Sequence, residues 1–265
     1  MKIKANGIEM HYKLSGEGNC LVLIHGFSDN LNMWYNQVPD FEKKYQILTC
    51  DVRGFGQTEI TKGTYSMELF ADDLYELLRV LGIRSACLLG YSMGGRIGLE
   101  FALKHPEMTT GLIFANSGVG GARTPEMEER LKLMGDILQQ GEIEAISEMM
   151  AVSSFSPGFK EKEPVIFEKY KGIKMQNDPL AYSAIMQAMF AEADTLPDLS
   201  SLKCPVLIIA GESDSFMEID IAESMKSSIK NSVLKVLSTG HAAAIEAPEE
   251  FNQAVLDFVE RLPEP

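Results

Sequence analysis

The amino-acid sequence predicts an α/β protein: a mostly parallel eight-stranded sheet flanked by helices, with a helical cap inserted between two of the strands. Three observations lead there. Short, solidly apolar runs recur along the chain, helical patterns lie between them, and one long stretch breaks the alternation with helical patterns alone.

The first thirteen residues alternate in character, with Ile3, Ala5, Ile8, Met10 and Tyr12 placed around Asn6-Gly7, which predicts two half-exposed strands joined by a tight turn. Six further runs follow at 20–24, 46–50, 86–89, 112–115, 205–210 and 233–237. They do not alternate, and a strand buried on both faces of a parallel sheet requires that. Residues 67–81 open on Ser66 and repeat apolar residues at Leu69, Phe70, Leu74, Leu77, Leu78 and Leu81, a helix with its cap. Residues 251–262 form a terminal helix of the same kind. From 123 to 195 no strand pattern appears, but amphipathic segments do, at 127–140, 142–150, 164–173 and 179–193. An insertion there would sit over the strand ends, where open α/β sheets bind ligands. The expected division is a core of 1–120 and 196–265 with a cap of 121–195 between them.

Hydrophobic residues make up 45% and charged residues 23% of the 265, the balance of an ordinary globular protein. A formal net charge of −14 argues against binding to nucleic acid or an anionic membrane, since like charge repels at encounter. No run approaches the ~18 apolar residues of a membrane-spanning helix. Cys20, Cys50, Cys87 and Cys204 each lie in or beside an apolar run without CxxC spacing, so free buried thiols are expected, with no metal. The first residues lack the apolar core of a signal peptide, and a reducing cytoplasm fits both features.

The strongest chemical signal is Gly90-Tyr91-Ser92-Met93-Gly94, between the apolar run 86–89 and the helical run 96–103. A serine on such a strand-to-helix turn has its hydroxyl pushed into the open, and flanking glycines avoid collisions in the bend. A second signal is Leu23-Ile24-His25-Gly26-Phe27-Ser28, a buried strand running into a His-Gly turn. A tetrahedral intermediate needs N–H donors aimed at its oxyanion, and the backbone amides of Phe27 and Met93 are the candidates. His25 is expected to hold its loop rather than to act as a base. Among the other histidines, His11 in the hairpin and His105 before Pro106 are expected to be solvated, whereas His241 follows the last strand. The chain order Ser, Asp, His then places the acid before it. Asp214, at the mouth of the run 205–210, is favoured over Glu212, too close to the strand end, and Asp220, which looks helical.

The segments LVLIHGFSDN, DVRGFGQTE, GYSMGGR, PVLIIAGESD and STGHAAAIEAPEEF, in that order, resemble the α/β-hydrolase superfamily over essentially the whole chain. The resemblance implies a serine hydrolase that acts on a small-molecule substrate with neither metal nor organic cofactor. It is similar to small capped esterases and lactonases, including the 3-oxoadipate enol-lactonase type, in its Asp51-Val52-Arg53-Gly54 turn and His241 loop. A second similarity is to the menaquinone-pathway synthase that eliminates pyruvate to form succinyl-hydroxycyclohexadiene carboxylate; it rests on His25 to Ser28 with Trp34, and on Gly90 to Arg96. That similarity implies carboxylate-holding roles for Tyr91 and Arg96. The chain departs from the pattern because Trp34 is its only tryptophan, and Arg123 and Arg130 are loose matches to the cap arginines. Cleavage of carbon–carbon bonds in diketones is a further alternative. The same fold also serves as a non-enzymatic binding protein, which would have no need to retain all three of Ser92, Asp214 and His241. The methionines of the expected cap, Met127, Met134, Met149, Met150, Met175, Met186 and Met189, are suited to packing its helices or to lining an apolar pocket.

Overall fold

The computed structural model describes residues 1–119, 125–191 and 198–263. Among them eight strands form one sheet: β1 (Lys2–Ala5), β2 (Ile8–Ser15), β3 (Cys20–Ile24), β4 (Gln46–Cys50), β5 (Ala86–Tyr91), β6 (Thr109–Ala115), β7 (Val206–Gly211) and β8 (Ser232–Leu237). Their order is β1-β2-β4-β3-β5-β6-β7-β8. β1 and β2 pair antiparallel, as do β2 and β4, and every other neighbouring pair is parallel. The helices are α1 (Val38–Phe41), α2 (Met67–Val80), α3 (Met93–Lys104), α4 (Pro125–Gln139), α5 (Ile143–Ser154), α6 (Phe159–Lys162), α7 (Pro164–Lys174), α8 (Pro179–Ala191), α9 (Ile219–Ser228), α10 (Ala243–Glu246) and α11 (Pro248–Val259).

The solid apolar runs are explained by burial on both sides of the sheet. Val22, Ile24, Leu48 and Leu88 point into one core, shared with Phe70, Leu74 and Leu77 of α2 and Ile97 and Phe101 of α3. Their neighbours Leu21, Leu23, Ile47 and Leu89 point into the other, shared with Phe41, Phe251 and Val255. Alternate residues of a strand face opposite ways, so two cores leave no polar position. β8 departs from the expectation. It is the edge strand, and its Val233 is 55% exposed, so the run 233–237 is not buried on both faces.

Five helices, α4 to α8, lie between β6 and β7, and no strand interrupts them among the described residues. Ile146, Tyr182 and Ile185 join the first core and Phe167 and Tyr170 the second, so this segment is continuous with both apolar clusters. Met134 and Met186 are buried and Met175 is 38% exposed. The side chains of Met127, Arg130 and Met189, and all of Arg123, lie outside the described residues.

Two histidines differ from the expectation of solvated side chains. His11 is buried, with Nδ1 2.7 Å from Asp51 Oδ2. Asp51 also accepts the amides of Leu31 and Gln57, both at 2.8 Å, and so ties the loops after β3 and β4 to the hairpin. His105 is stacked on Tyr75 with ring centroids 4.1 Å apart, which half-buries it. All four cysteines are buried free thiols, and burial pushes the thiols of Cys20 and Cys50 up to about 12. No helix among the described residues is long and apolar enough to cross a membrane.

The strand order reverses at β3, whose neighbours are β4 on one side and β5 on the other. Loops leaving β3 and β5 therefore diverge to opposite faces and open a crevice between them, the position at which open α/β sheets bind ligands.

Candidate active site

Each side chain of interest leaves the carboxyl end of a parallel strand. Ser92 follows β5 directly, with φ 51 and ψ −118, a left-handed backbone that a non-glycine residue adopts only when its surroundings enforce it. The enforcement is visible. The Ser92 amide donates to Ala115 O at 3.0 Å, and its carbonyl accepts from the Ser117 hydroxyl at 2.6 Å. The flanking glycines are required by close approach: a Cβ on Gly90 would lie 2.2 Å from Gly94 O, and one on Gly94 would lie 2.3 Å from Ile24 O.

His241 Nε2 lies 2.9 Å from Ser92 Oγ, and Nδ1 lies 2.8 Å and 3.0 Å from the two oxygens of Asp214. The Asp214 carboxylate accepts a hydrogen bond from Nδ1–H, which leaves Nε2 to accept from the serine hydroxyl. Burial raises the Asp214 pKa, but the charge of His241, its hydrogen bond and the amides of Met217 and Phe216 outweigh it, and the carboxyl lies below its usual value. The rings of Tyr91 and Phe216 lie 5.1 Å and 4.8 Å from the imidazole. The competing acids are elsewhere: Glu212 is exposed, and Asp220 is exposed on α9.

The His25-Gly26-Phe27 loop meets the serine turn. A Cβ on Gly26 would lie 3.2 Å from Ser92 Cβ, so the two loops are in contact. Among the described residues neither the Phe27 nor the Met93 amide donates to a backbone acceptor. His25 is fully buried; the Val52 amide donates to its Nε2 at 2.9 Å and its Nδ1 faces Gly26 O at 2.8 Å. Burial lowers its pKa against the opposing pull of Asp51. It is a neutral brace for the loop. Tyr91 is 2% exposed and its hydroxyl lies 3.4 Å from that of Tyr170, so it is turned into the interior. Arg96 is half-buried one turn along α3 from Ser92.

A family model for the alpha/beta hydrolase fold matches residues 19–145. The 3-oxoadipate enol-lactonase 2 of Acinetobacter baylyi is 31% identical over 261 residues, which cover 98% of this chain and 96% of that one. The chain belongs to the α/β-hydrolase family. A 2-hydroxy-6-oxononadienedioate/2-hydroxy-6-oxononatrienedioate hydrolase of Burkholderia vietnamiensis is 30% identical, with 96% of this chain and 92% of that one covered. Among solved structures, the enol-lactonase from Burkholderia xenovorans LB400 superposes with a TM-score of 0.92 at 26% identity, covering 98% and 100% of the two chains. A thermophilic esterase from Thermogutta terrifontis with malate bound gives 0.88 at 27%, covering 98% of each.

This α/β-hydrolase carries supporting residues that the sequence alone did not single out. Asn116, at φ 48 after β6, donates to Asp214 Oδ2 at 3.1 Å and to Gly240 O at 3.2 Å. Glu246 Oε2 accepts from the Gly240 amide at 2.9 Å and the Ser156 amide at 3.1 Å, and the Ala242 amide donates to Ser154 O at 2.7 Å. The histidine loop is thus fastened to β6 on one side and to the helical insertion on the other. The usable signal was local: an asparagine at a strand end tolerates left-handed backbone better than most residues. No group of three or more His, Cys, Asp or Glu able to hold a metal occurs among the described residues.

Proposed function

We propose that this hydrolase cleaves a carboxylic ester or lactone of a small, partly apolar substrate through an acyl-enzyme on Ser92. The observation that carries the reading is the continuous chain from Ser92 Oγ through His241 to Asp214, with contacts of 2.9 Å and 2.8 Å. His241 takes the hydroxyl proton as Ser92 Oγ attacks the carbonyl, while Asp214 fixes the imidazole tautomer and stabilises the imidazolium. The Phe27 and Met93 amides hold the oxyanion. His241 then gives the proton to the leaving alcohol and activates the water that releases the acid.

The helices α4 to α8 act as a cap over this centre. Tyr182 of α8 packs edge-on against Phe27 with centroids 4.5 Å apart, so the cap meets the oxyanion loop through apolar contact. The similarity to the Acinetobacter baylyi enol-lactonase supports the lactone, and that to the Burkholderia vietnamiensis hydrolase supports carbon–carbon bond cleavage of a diketone as the second reading. The synthase-like reading is weakened by Tyr91, whose hydroxyl faces Tyr170 rather than an open site.

Nitrophenyl esters of graded length, assayed beside lactones and a vinylogous diketone, separate these reactions, and labelling of Ser92 by a fluorophosphonate tests the nucleophile. Arg96→Met is expected to leave neutral short-chain esters within a few-fold of wild type. If Arg96 held a substrate carboxylate, the change would cost about 10- to 150-fold in kcat/KM on that substrate. A wild type inert to every ester and lactone but active on the diketone would make carbon–carbon cleavage the function.

A further inference from the structure

The loop after β3 is gripped by an ion pair for which the proposed reaction has no use. The side chain of Lys174, the last residue of α7, is 1% exposed and that of Asp29 0%. The ammonium has three donors. Its contacts are Asp29 Oδ1 at 2.8 Å, Ser28 Oγ at 2.9 Å and the Tyr170 hydroxyl at 3.1 Å. Tyr170 donates in turn to Asp29 Oδ2 at 3.3 Å, and Asn177 Nδ2 donates to Ser28 O at 2.7 Å. Burial draws the Lys174 pKa down, and Asp29 opposes it.

Stability does not account for such a pair, because well-packed apolar residues in place of a buried ion pair are often neutral or stabilising. Geometry gives a better reason. Ser28 has φ 70, a left-handed backbone that persists in a serine only when neighbouring groups enforce it. Its hydroxyl and its carbonyl are both held from the segment 174–177, and the preceding residue is Phe27. The backbone that carries the Phe27 N–H is therefore anchored one residue further along.

We propose that Lys174 and Asp29 are positioning residues for the oxyanion loop: acting through Ser28, they fix where the Phe27 amide points and so couple α7 to the reacting carbonyl oxygen. The inference rests on the serine-hydrolase reading above. It predicts a defect in the transition state and not in substrate binding, since both side chains are buried and engaged with each other, Ser28 and Tyr170.

The test compares wild type with Lys174→Met and with the charge-free double variant Asp29→Asn/Lys174→Gln. Each is assayed on nitrophenyl butyrate, titrated with a butyl boronic acid that becomes tetrahedral on a serine, and checked for folding by circular dichroism. The expected result is a kcat lower by about 30- to 300-fold, because an oxyanion donor moved by a fraction of an ångström loses much of its effect. KM should stay within about threefold, boronate affinity should fall in step with kcat, and inhibition by butyrate should be unchanged. A pair that only welds helix to loop would lower the folded fraction while kcat per folded molecule and boronate affinity stayed at wild type; that outcome overturns the proposal. Should Lys174→Met not fold, the double variant decides by the same readings, and failure of both to fold makes the pair a folding element and also overturns it. A folded wild type that takes no fluorophosphonate label at Ser92 is a different result, which removes the serine-hydrolase reading and the inference with it.

Discussion

At Asp214 burial and pairing pull in opposite directions, and pairing wins. Burial favours the neutral acid, but His241 and the amides of Met217 and Phe216 favour the carboxylate, which stays ionised. Asn116 adds a fourth donor. Asp214→Asn should therefore lower kcat by about 10⁴ with little change in KM, because an amide presents the wrong partner to the imidazole tautomer. Ser92→Ala and His241→Ala should abolish turnover, and Asp220→Asn should not alter it, since that residue is exposed on α9. Near-native kinetics in Asp214→Asn, with loss in Asp220→Asn, would move the acid. That Ser92, Asp214 and His241 lie at loops where apolar runs must turn was legible in sequence, and the fold brings the three side chains within hydrogen-bond distance. His11 could not be read correctly, because its partner Asp51 is 40 residues away and nothing in the hairpin pattern shows that its outer face is covered. Asn116 offered only its place at a strand end, because its partners Asp214 and Gly240 lie 98 and 124 residues away.

The strand-to-helix turn and the histidine loop are positioned by contacts between elements, and these give the next two predictions. A Cβ on Gly94 would stand 2.3 Å from Ile24 O and 2.7 Å from His25 O, so α3 begins in direct backbone contact with the end of β3. Gly94→Val should push these apart and reduce both soluble yield and activity; wild-type yield with an unchanged circular dichroism spectrum would contradict it. Glu246, on α10, fastens the loop at Gly240 to Ser156 of the insertion. Glu246→Ala leaves those part-buried amides without their acceptor, at a cost of about 1 kcal/mol. Urea unfolding should show that loss, and kcat should fall more than KM rises as the imidazole shifts from Ser92. Unchanged urea midpoint and kcat together would mean that Asn116 and Ala242 hold the loop unaided. Element type followed from sequence where a 3.6 period marked a helix, as in α2, or a short unbroken apolar run marked a buried strand, as in β3. The position of β8 at the sheet edge did not, because four apolar residues among Val233 to Leu237 outweighed Lys235, the one residue there that marks an exposed strand face. The clamp between Lys174 and Asp29 was hidden for a similar reason: 145 residues separate the partners, and a lysine at a helix end ordinarily reads as a solvated cap.

Across the whole molecule, 38 acidic side chains face 24 basic ones, and the net charge of −14 opposes compaction at neutral pH. Screening relieves such repulsion over distances set by the Debye length, about 30 Å at 0.01 M salt and about 8 Å at 0.15 M. The urea midpoint at pH 7 should therefore rise between those salt concentrations. Lowering the pH has two effects of opposite sign. Approaching pH 5, protonation of the more basic carboxyls reduces the net charge, so stability should hold or rise and the salt effect should shrink. Asp214 acts the other way. Its folded pKa lies below the ordinary carboxylate value of about 3.9, so the unfolded chain takes up its proton first as pH falls. The stabilisation from Asp214 is thus fully present above about pH 5, declines as pH drops through the ordinary value, and is gone once the pH passes below the folded one. The expected profile is a broad maximum between about pH 5 and 7 at low salt and a steep fall below about pH 4, with the steep fall reduced in Asp214→Asn because that variant has no carboxyl to protonate at this position. Urea titrations at pH 7, 5 and 3.5, each at the two salt concentrations, measure all of this. A midpoint at pH 7 indifferent to salt would show that the acidic surface is locally neutralised rather than self-repelling, and an acid limb identical in wild type and Asp214→Asn would show that carboxylates other than Asp214 control acid unfolding.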